Sequence, residues 1–347
     1  MDTQMNSTAT PPDRLNEDWR FGQPHRHAQA LLARMAESSG AEGSIRLEGA
    51  TADRVTTTPA QDWTALPTIG SDYLLEQRLS KPLHTLSLRI APSVESAPLT
   101  IRCESQGLFL PCIHVVVESG AHAHVVEEHV HHSGSAMLCL RQYVVMPGAS
   151  LSVELREQGC GNSSQALNIT HLSCRGDCRV RHISTHSSHS WAREETTAEL
   201  AAHEGAAPEI LLLSANRLQA DQTLDQRTRQ LHLSPGGKSR LLYKNVLDDH
   251  ATAVFGGNIR VELGAHDTDA YLSNLNMMLS EQATVHSLPE LEILADRVRC
   301  SHGSATAPID PEQLFYLLAR GVSEPTARTL LAEGFLSDVW EQFRLQD

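Results

Sequence analysis

Aromatic side chains are scarce in this sequence. Phe, Trp and Tyr make up 4% of the 347 residues, whereas hydrophobic residues as a whole make up 40%. The core must therefore be built mainly from Leu, Val, Ile and Ala, which favours thin and regularly layered packing. A carbohydrate-processing enzyme usually presents aromatic stacking platforms beside clustered acidic residues. Neither pattern is present, so that class of function is disfavoured.

Long basic stretches and long apolar runs are also missing. The formal net charge is -14, and binding to nucleic acid requires many cationic side chains to neutralise phosphates. No apolar run approaches the roughly 20 residues of a membrane-spanning helix. The first residues lack the basic segment and apolar run of a secretory signal. We therefore expect a cytoplasmic protein that binds neither membranes nor nucleic acid.

The cysteines do not form the dense set of a disulfide scaffold. Their number is odd, at seven, which favours reduced thiols in a reducing compartment. Cys174 and Cys178 are close together, but no second pair completes a four-thiolate site. We interpret this pair as structural.

A glycine-rich segment at 236–239 resembles the end of a phosphate-binding loop. That motif needs another glycine where His232 stands, and a helix should follow it. The next residues, Leu241, Leu242 and Tyr243, are instead typical of a strand. The chain itself is therefore not expected to bind a nucleotide, and any ATP-driven step belongs to another protein.

Glycines recur through the middle of the chain at intervals of 28 to 31 residues, and several open a short run of alternating apolar side chains. A fixed period of this length with strand character predicts a solenoid or a propeller. The glycines would lie where the chain turns, at a positive φ. A β-sandwich with evenly spaced hairpins is the alternative. The repeating residues are Gly120, Gly148, Gly176, Gly205, Gly236 and Gly264.

The two ends of the chain differ from this core in composition and in the spacing of their apolar residues. We divide the chain into an N-terminal region at 1–65, a β core at 66–303 and a C-terminal helical domain at 304–347. The first 13 or so residues are expected to be disordered, and a helix is predicted over 26–37. Near the C-terminus, Asp310 is a helix cap and Gly321 a stop. A second helix is predicted from Ser323 to near Gly334, and a third over 337–344.

Histidines and a glutamate form one candidate metal motif. His122, His124 and Glu128 lie on one face if their segment is a strand, and their spacing resembles the first metal motif of cupins. Val116 replaces the glycine that cupins carry there, and no second motif follows. The histidines at 129, 131 and 132 add to a His-rich surface. A metal-dependent enzyme of cupin type and a solvent-facing strand are both open interpretations.

Cys300 and His302 form a second candidate site, at the junction between the β core and the helical tail. On an extended segment they lie on the same face, roughly 7 Å apart at the backbone. A bound iron or cluster needs about four ligands. The pair is therefore either a packing feature or half of a site that a partner chain completes.

Several collinear segments carry a family resemblance: 239–244, 253–259, 268–270, 274–280, 289–296, 300–303, 314–317 and 320–321. Together they resemble the SufB/SufD family of iron-sulfur cluster assembly proteins. A weaker similarity covers the Trp-containing stretch at 17–21, and the Cys-Ser-His-Gly run favours the SufD branch.

The resemblance implies a right-handed parallel β-helix with flanking helical regions. It also implies a non-catalytic scaffold that binds a SufB-type subunit and two copies of a SufC-type ATPase. The ATPase would dock on the C-terminal helices, where Phe315, Tyr316 and Arg320 are the candidate contact residues. His302, with Cys300 beside it, would contribute to a site at the subunit interface. Iron or a cluster would be held there transiently, with no cofactor bound tightly by the isolated chain; a homodimer is left open.

Overall fold

The computed structural model describes residues 24–37, 41–49, 55–57, 84–92, 97–159, 163–187 and 189–344. The segment predicted to be disordered and the Trp-containing stretch at 17–21 lie outside these residues, as does Cys160. The elements are α1 (Pro24–Glu37), β1 (Ala41–Glu48), β2 (Val55–Thr57), β3 (His84–Ile90), β4 (Leu99–Phe109), β5 (Pro111–Val117), β6 (His122–His131), β7 (Ala136–Val145), β8 (Ser150–Gln158), β9 (Gln165–Arg175), β10 (Arg179–Ser187), β11 (Trp191–Ala201), β12 (Glu209–Leu218), β13 (Thr223–His232), β14 (Lys238–Leu247), β15 (Thr252–Val261), β16 (Asp269–Met278), β17 (Thr284–Ile293), β18 (Arg299–Pro308), α2 (Pro311–Ala319) and α3 (Glu324–Arg344).

Strands two apart in the chain pair in parallel and build a β-solenoid of about seven turns. One ladder runs from β4 through the even-numbered strands to β18, and the other runs from β3 through the odd-numbered strands to β17. At the first turn, β1 pairs antiparallel with β4 and β2 with β3. The predicted parallel β-helix is confirmed, and the β-sandwich alternative is wrong because strands i and i+2 pair in parallel.

The repeating glycines lie at the turns of the solenoid, as predicted. All six have a positive φ, from 65° at Gly176 to 90° at Gly264. Only glycine adopts this backbone without a steric penalty from Cβ. At Gly176 the space is also restricted, because a Cβ built there would lie 2.9 Å from Pro147. The interval between the repeating glycines therefore corresponds to the number of residues in one turn of the solenoid.

Helix α1 covers the outer face of the odd-numbered ladder. Leu31 and Met35 are buried against Leu138, Leu140 and Leu167. These leucines point away from the lumen, so without the helix their apolar surface would face water. The helix predicted over 26–37 is confirmed and begins two residues earlier, at Pro24.

The C-terminal helices agree with the prediction at their start and differ at their end. The Asp310 carboxylate accepts a hydrogen bond from the Glu312 N–H at 2.9 Å, and Gly321 follows α2 with φ 84°. The predicted second and third helices are wrong, because α3 continues through Gly334 as one helix. No described helix combines the length and the apolar character needed to cross a bilayer.

Packing explains why α3 does not break. Val339 and Phe343 are buried against Ile183 and Leu213 on the solenoid, and Lys244 of β14 lies 2.7 Å from Asp338. Glycine inside a helix costs about 1 kcal/mol relative to alanine. Burial of each large apolar side chain contributes about 1.5–3 kcal/mol, so tertiary contact outweighs the local preference to stop.

Candidate functional site: the open end and the polar lumen

The last turn of the solenoid has two strands that pair on one side only among the described residues. β17 pairs with β15 and β18 pairs with β16. Each strand is ten residues long, so a row of backbone N–H and C=O groups is left for another chain. Apolar side chains lie beside this edge, and Leu294 is 52% exposed. Such an edge is open to pairing with a further strand.

Cys300 and His302 lie on β18 over the open end of the interior. In the parallel register they are opposite Ala270 and Leu272 of β16, which are both buried in the core. Cys300 is half-buried and His302 is exposed. Ser304, two residues further on, donates to Ser287 of β17 at 2.8 Å, which shows that this row faces across the end of the lumen.

The chemistry of Cys300 is set by partial burial. Burial raises the pKa of its thiol, so the protonated form is favoured in the isolated chain. A metal ion delivered from outside would displace that proton, because the thiolate is the form that binds metal. The metal-compatible groups of three that the described residues contain lie elsewhere. Cys300 and His302 thus lie together on a strand edge that is unpaired among the described residues, and they remain a predicted site.

His122, His124 and Glu128 share the outer face of β6 but are engaged separately. His122 hydrogen-bonds to a serine at 2.7 Å and His124 to a glutamate at 3.1 Å, both on β8. The Glu128 carboxylate lies 3.2 Å from Arg102 and 3.5 Å from Arg156. The two imidazoles line a groove of about 750 Å³ between the solenoid and the end of α3.

The expected His-rich surface is wrong for two of its members. His129 and His131 are fully buried, whereas the side chain of His132 is 48% exposed. Successive residues of a strand point to opposite faces, so the odd-numbered residues of β6 turn into the lumen together with Glu127. Alternation with Ala123 and Val125, which are also buried, was the signal in the sequence that pointed to this.

A charged network fills the middle of the lumen, and sequence reasoning missed it. Glu127 lies 3.1 Å from the Arg141 Nε and 3.2 Å from the His129 Nε2, and Tyr143 donates to its other oxygen. Burial opposes ionisation of Glu127, but the Arg141 charge and these hydrogen bonds outweigh it and lower its pKa to about 2. His129 continues the network, with its Nδ1 2.7 Å from Glu157.

Helix α2 forms an exposed surface. None of its residues is buried, and Phe315 and Tyr316 are 72% and 56% exposed. The Arg320 guanidinium lies 4.5 Å from the centroid of the Tyr316 ring. Two exposed aromatics beside an arginine are typical of the residues that anchor protein interfaces.

The fold defines this chain as a parallel β-solenoid protein. The family model described as "SUF system FeS cluster assembly, SufBD core domain" matches residues 101–335. The chain therefore belongs to the SufBD family, in agreement with the resemblance found in the sequence.

Individual relatives carry the same family name. The chain is 28% identical to an iron-sulfur cluster assembly SufBD family protein of Synechocystis over 282 residues, which cover 77% of this chain and 58% of the relative. It is 28% identical to iron-sulfur cluster assembly protein SufD of Escherichia coli over 237 residues, covering 67% and 54%. It is 41% identical to the chloroplastic protein ABCI7 of Arabidopsis thaliana over 124 residues, covering 35% and 26%. The chain thus spans between about a quarter and three-fifths of these relatives.

Proposed function

We propose that this chain is a non-catalytic scaffold subunit of a cytoplasmic SUF-type iron-sulfur assembly complex. It pairs with a SufB-type subunit through β17 and β18, and it contributes His302 and Cys300 to a site that both chains share. The observation that carries the proposal is the position of these two ligands on the unpaired edge. A scaffold has to release its cluster, and ligands divided between two chains allow release when the chains move apart.

The proposed docking site for the ATPase is the surface of α2. Phe315, Tyr316 and Arg320 are exposed there and support docking of a SufC-type subunit.

The free cysteines of the described residues support a reducing compartment. A cupin-type enzyme would need His122, His124 and Glu128 to meet at one ion, and their separate partners support a structural role instead.

Reconstitution tests this function. The chain is co-expressed with a SufB-type and a SufC-type subunit, and the purified complex is analysed for subunits, iron and acid-labile sulfide. We expect a stable complex that assembles clusters. His302→Ala should leave the complex intact and reduce its cluster content several-fold. The matched control is His122→Ala, which removes another exposed imidazole from the solenoid and should change nothing.

Docking of the ATPase is tested separately. Replacing Phe315 and Tyr316 together by Ala should lose the SufC-type subunit and keep the SufB-type subunit. Cluster content that is unchanged in His302→Ala would refute the shared site, and capture of the ATPase by the doubly substituted chain would refute docking on α2.

A further inference from the structure

Three buried side chains converge inside the solenoid, away from the open end. They are His131 of β6, Glu157 of β8 and His189, two residues before β11. Their ligand atoms lie within 4.8 Å of one another. The His131 Nε2 is 2.8 Å and the His189 Nε2 3.6 Å from the same carboxylate oxygen, Oε2 of Glu157. The most exposed of the three residues is His189, at 4%.

Neighbouring groups hold these side chains in place. The other oxygen of Glu157, Oε1, lies 2.8 Å from the Asn168 Nδ2 and 2.7 Å from the His129 Nδ1. The Ser164 hydroxyl lies 3.2 Å from the Nδ1 of His189. The Nε2 of His189 has no hydrogen-bond partner among the described residues, and it points at Glu157. Metal sites use such outer hydrogen bonds to orient their ligands.

We propose that His131, Glu157 and His189 bind one divalent transition-metal ion, with Fe2+ as the ion whose donor preference they match. Two imidazoles and one carboxylate with open positions form the ligand set of non-haem Fe2+. The Nε2 of His189, which has no hydrogen-bond partner among the described residues, is positioned to complete this set. The site is separate from Cys300 and His302 and does not depend on the function proposed above.

The second buried group of possible ligands is unsuitable for a cation. It consists of Glu127, His129 and Cys139, and Arg141 already binds the carboxylate of Glu127. This guanidinium occupies the carboxylate that a metal ion would need and repels a cation, which leaves the group around Glu157.

A small cavity adjoins the site at His189. It has a volume of about 10 Å³ and is also lined by Ser187, which is exposed. A hydrated ion cannot fit in this volume, which is close to one water molecule. Loading therefore requires the ion to lose its waters, and we expect it to be slow.

The test uses the purified full chain, stripped with a chelator and kept anaerobic. Titration with Co2+, as a coloured substitute for Fe2+, should show one ion per chain and the ligand-field bands of mixed nitrogen and oxygen ligation. Fe2+ should compete for the site and Mg2+ should not. His189→Ala should abolish this binding. Ser164→Ala, which keeps all three ligands, should weaken it about 10- to 100-fold.

Two controls separate the lumen from other histidines. His182→Ala also removes a fully buried imidazole and should retain one Co2+, as should His122→Ala on the surface. The proposal is overturned if the wild-type chain binds no Co2+ with these bands, or if binding is lost in His122→Ala but kept in His189→Ala.

Folding of each variant is checked by circular dichroism. Should His189→Ala fail to fold, the weaker binding of Ser164→Ala and a metal-dependent rise in the unfolding temperature of the wild-type chain decide the question. Unchanged binding in Ser164→Ala and an unchanged unfolding temperature would then contradict the site. Cluster assembly is not a readout here, so failure of this inference is distinct from failure of the proposed function.

Discussion

At the scale of single residues, Arg141 shows how a solenoid lumen can hold a charge. It is fully buried, and each of its three nitrogens has a partner. The Nε donates to Glu127 at 3.1 Å, Nη1 to Thr170 at 3.0 Å and Nη2 to Asn168 at 2.9 Å. Such a group stabilises the fold only while its partners remain, because an unpaired buried charge costs several kcal/mol.

The first prediction concerns removal of this charge. Arg141→Leu should lower the free energy of unfolding by about 3–5 kcal/mol, because it leaves the Glu127 carboxylate buried without its cation. Urea denaturation followed by circular dichroism measures the change. The double variant Arg141→Leu/Glu127→Leu should lose less than the sum of the two single changes. Strict additivity would show that the two side chains are not coupled.

The second prediction concerns acid. Burial lowers the pKa of His182 from 6.5 to about 4, so the folded protein takes up this proton less readily than the unfolded chain. The stability that this histidine contributes is complete above pH 6.5 and is lost as the pH falls from 6.5 towards 4.

The loss that His182 causes between pH 7 and pH 5 should be about 2 kcal/mol. His182→Ala should therefore lose less stability than the wild type over this range, even though it is less stable at pH 7. Urea denaturation at the two pH values measures both slopes. Equal slopes would contradict the lowered pKa. His232, whose pKa burial also lowers to about 4, remains in both proteins and cancels in the comparison.

At the scale of elements, the turns depend on glycine to different degrees. Gly134 and Gly176 have similar φ values, 74° and 65°, but a Cβ at Gly134 would meet nothing within 4 Å, whereas one at Gly176 would lie 2.9 Å from Pro147.

Gly134→Ala should therefore cost only the strain of a left-handed backbone, about 1–2 kcal/mol. Gly176→Ala should cost more, because the methyl group also displaces the neighbouring turn. Unfolding temperatures of the two variants compare the costs directly. An equal loss of stability at both sites would mean that backbone strain alone determines the cost of adding a side chain at these turns.

Helix α3 permits a stabilising change. Gly334 lies inside the helix, and an added Cβ meets nothing within 4 Å. Gly334→Ala should raise the free energy of unfolding by about 1 kcal/mol. The control is Gly321→Ala, which places a side chain at φ 84° and should destabilise. A loss of stability in Gly334→Ala would show that the glycine has a role beyond the helix.

At the scale of the whole molecule, each turn of the solenoid is stabilised mainly by its neighbours. Turns in the middle have two such neighbours, whereas β17 and β18 have one within the part of the chain that the structure describes. Repeat proteins of this kind lose structure from their ends. The same strands carry the proposed interface, so the least protected turn is the one that a partner would complete.

Hydrogen exchange tests this view of the molecule. Amides of β17 and β18 should exchange faster than those of β11 and β13, and addition of a SufB-type subunit should slow exchange in the last turn selectively. The His302→Ala chain should show the same protection on complex formation, because the backbone and not the imidazole makes the contact. Equal protection throughout the free chain would indicate a solenoid that unfolds as one unit.

The sequence by itself determined the features that depend on local chemistry. The six repeating turn glycines, the Asp310 cap and the Cys-Ser-His-Gly run are each visible within a few residues, because backbone conformation and side-chain type decide them. Only the tertiary structure decided that α3 passes through Gly334, because the burial of Val339 and Phe343 depends on a distant surface.

The contacts inside the lumen were beyond the reach of local reasoning for the same reason. Alternation along β6 indicates that His131 points inward, but its contact with Glu157 depends on the register of strands about one turn apart. His189 joins them from a third position in the chain. Pairing between distant strands sets these distances, so the chemistry of the interior exists only once the coils are stacked.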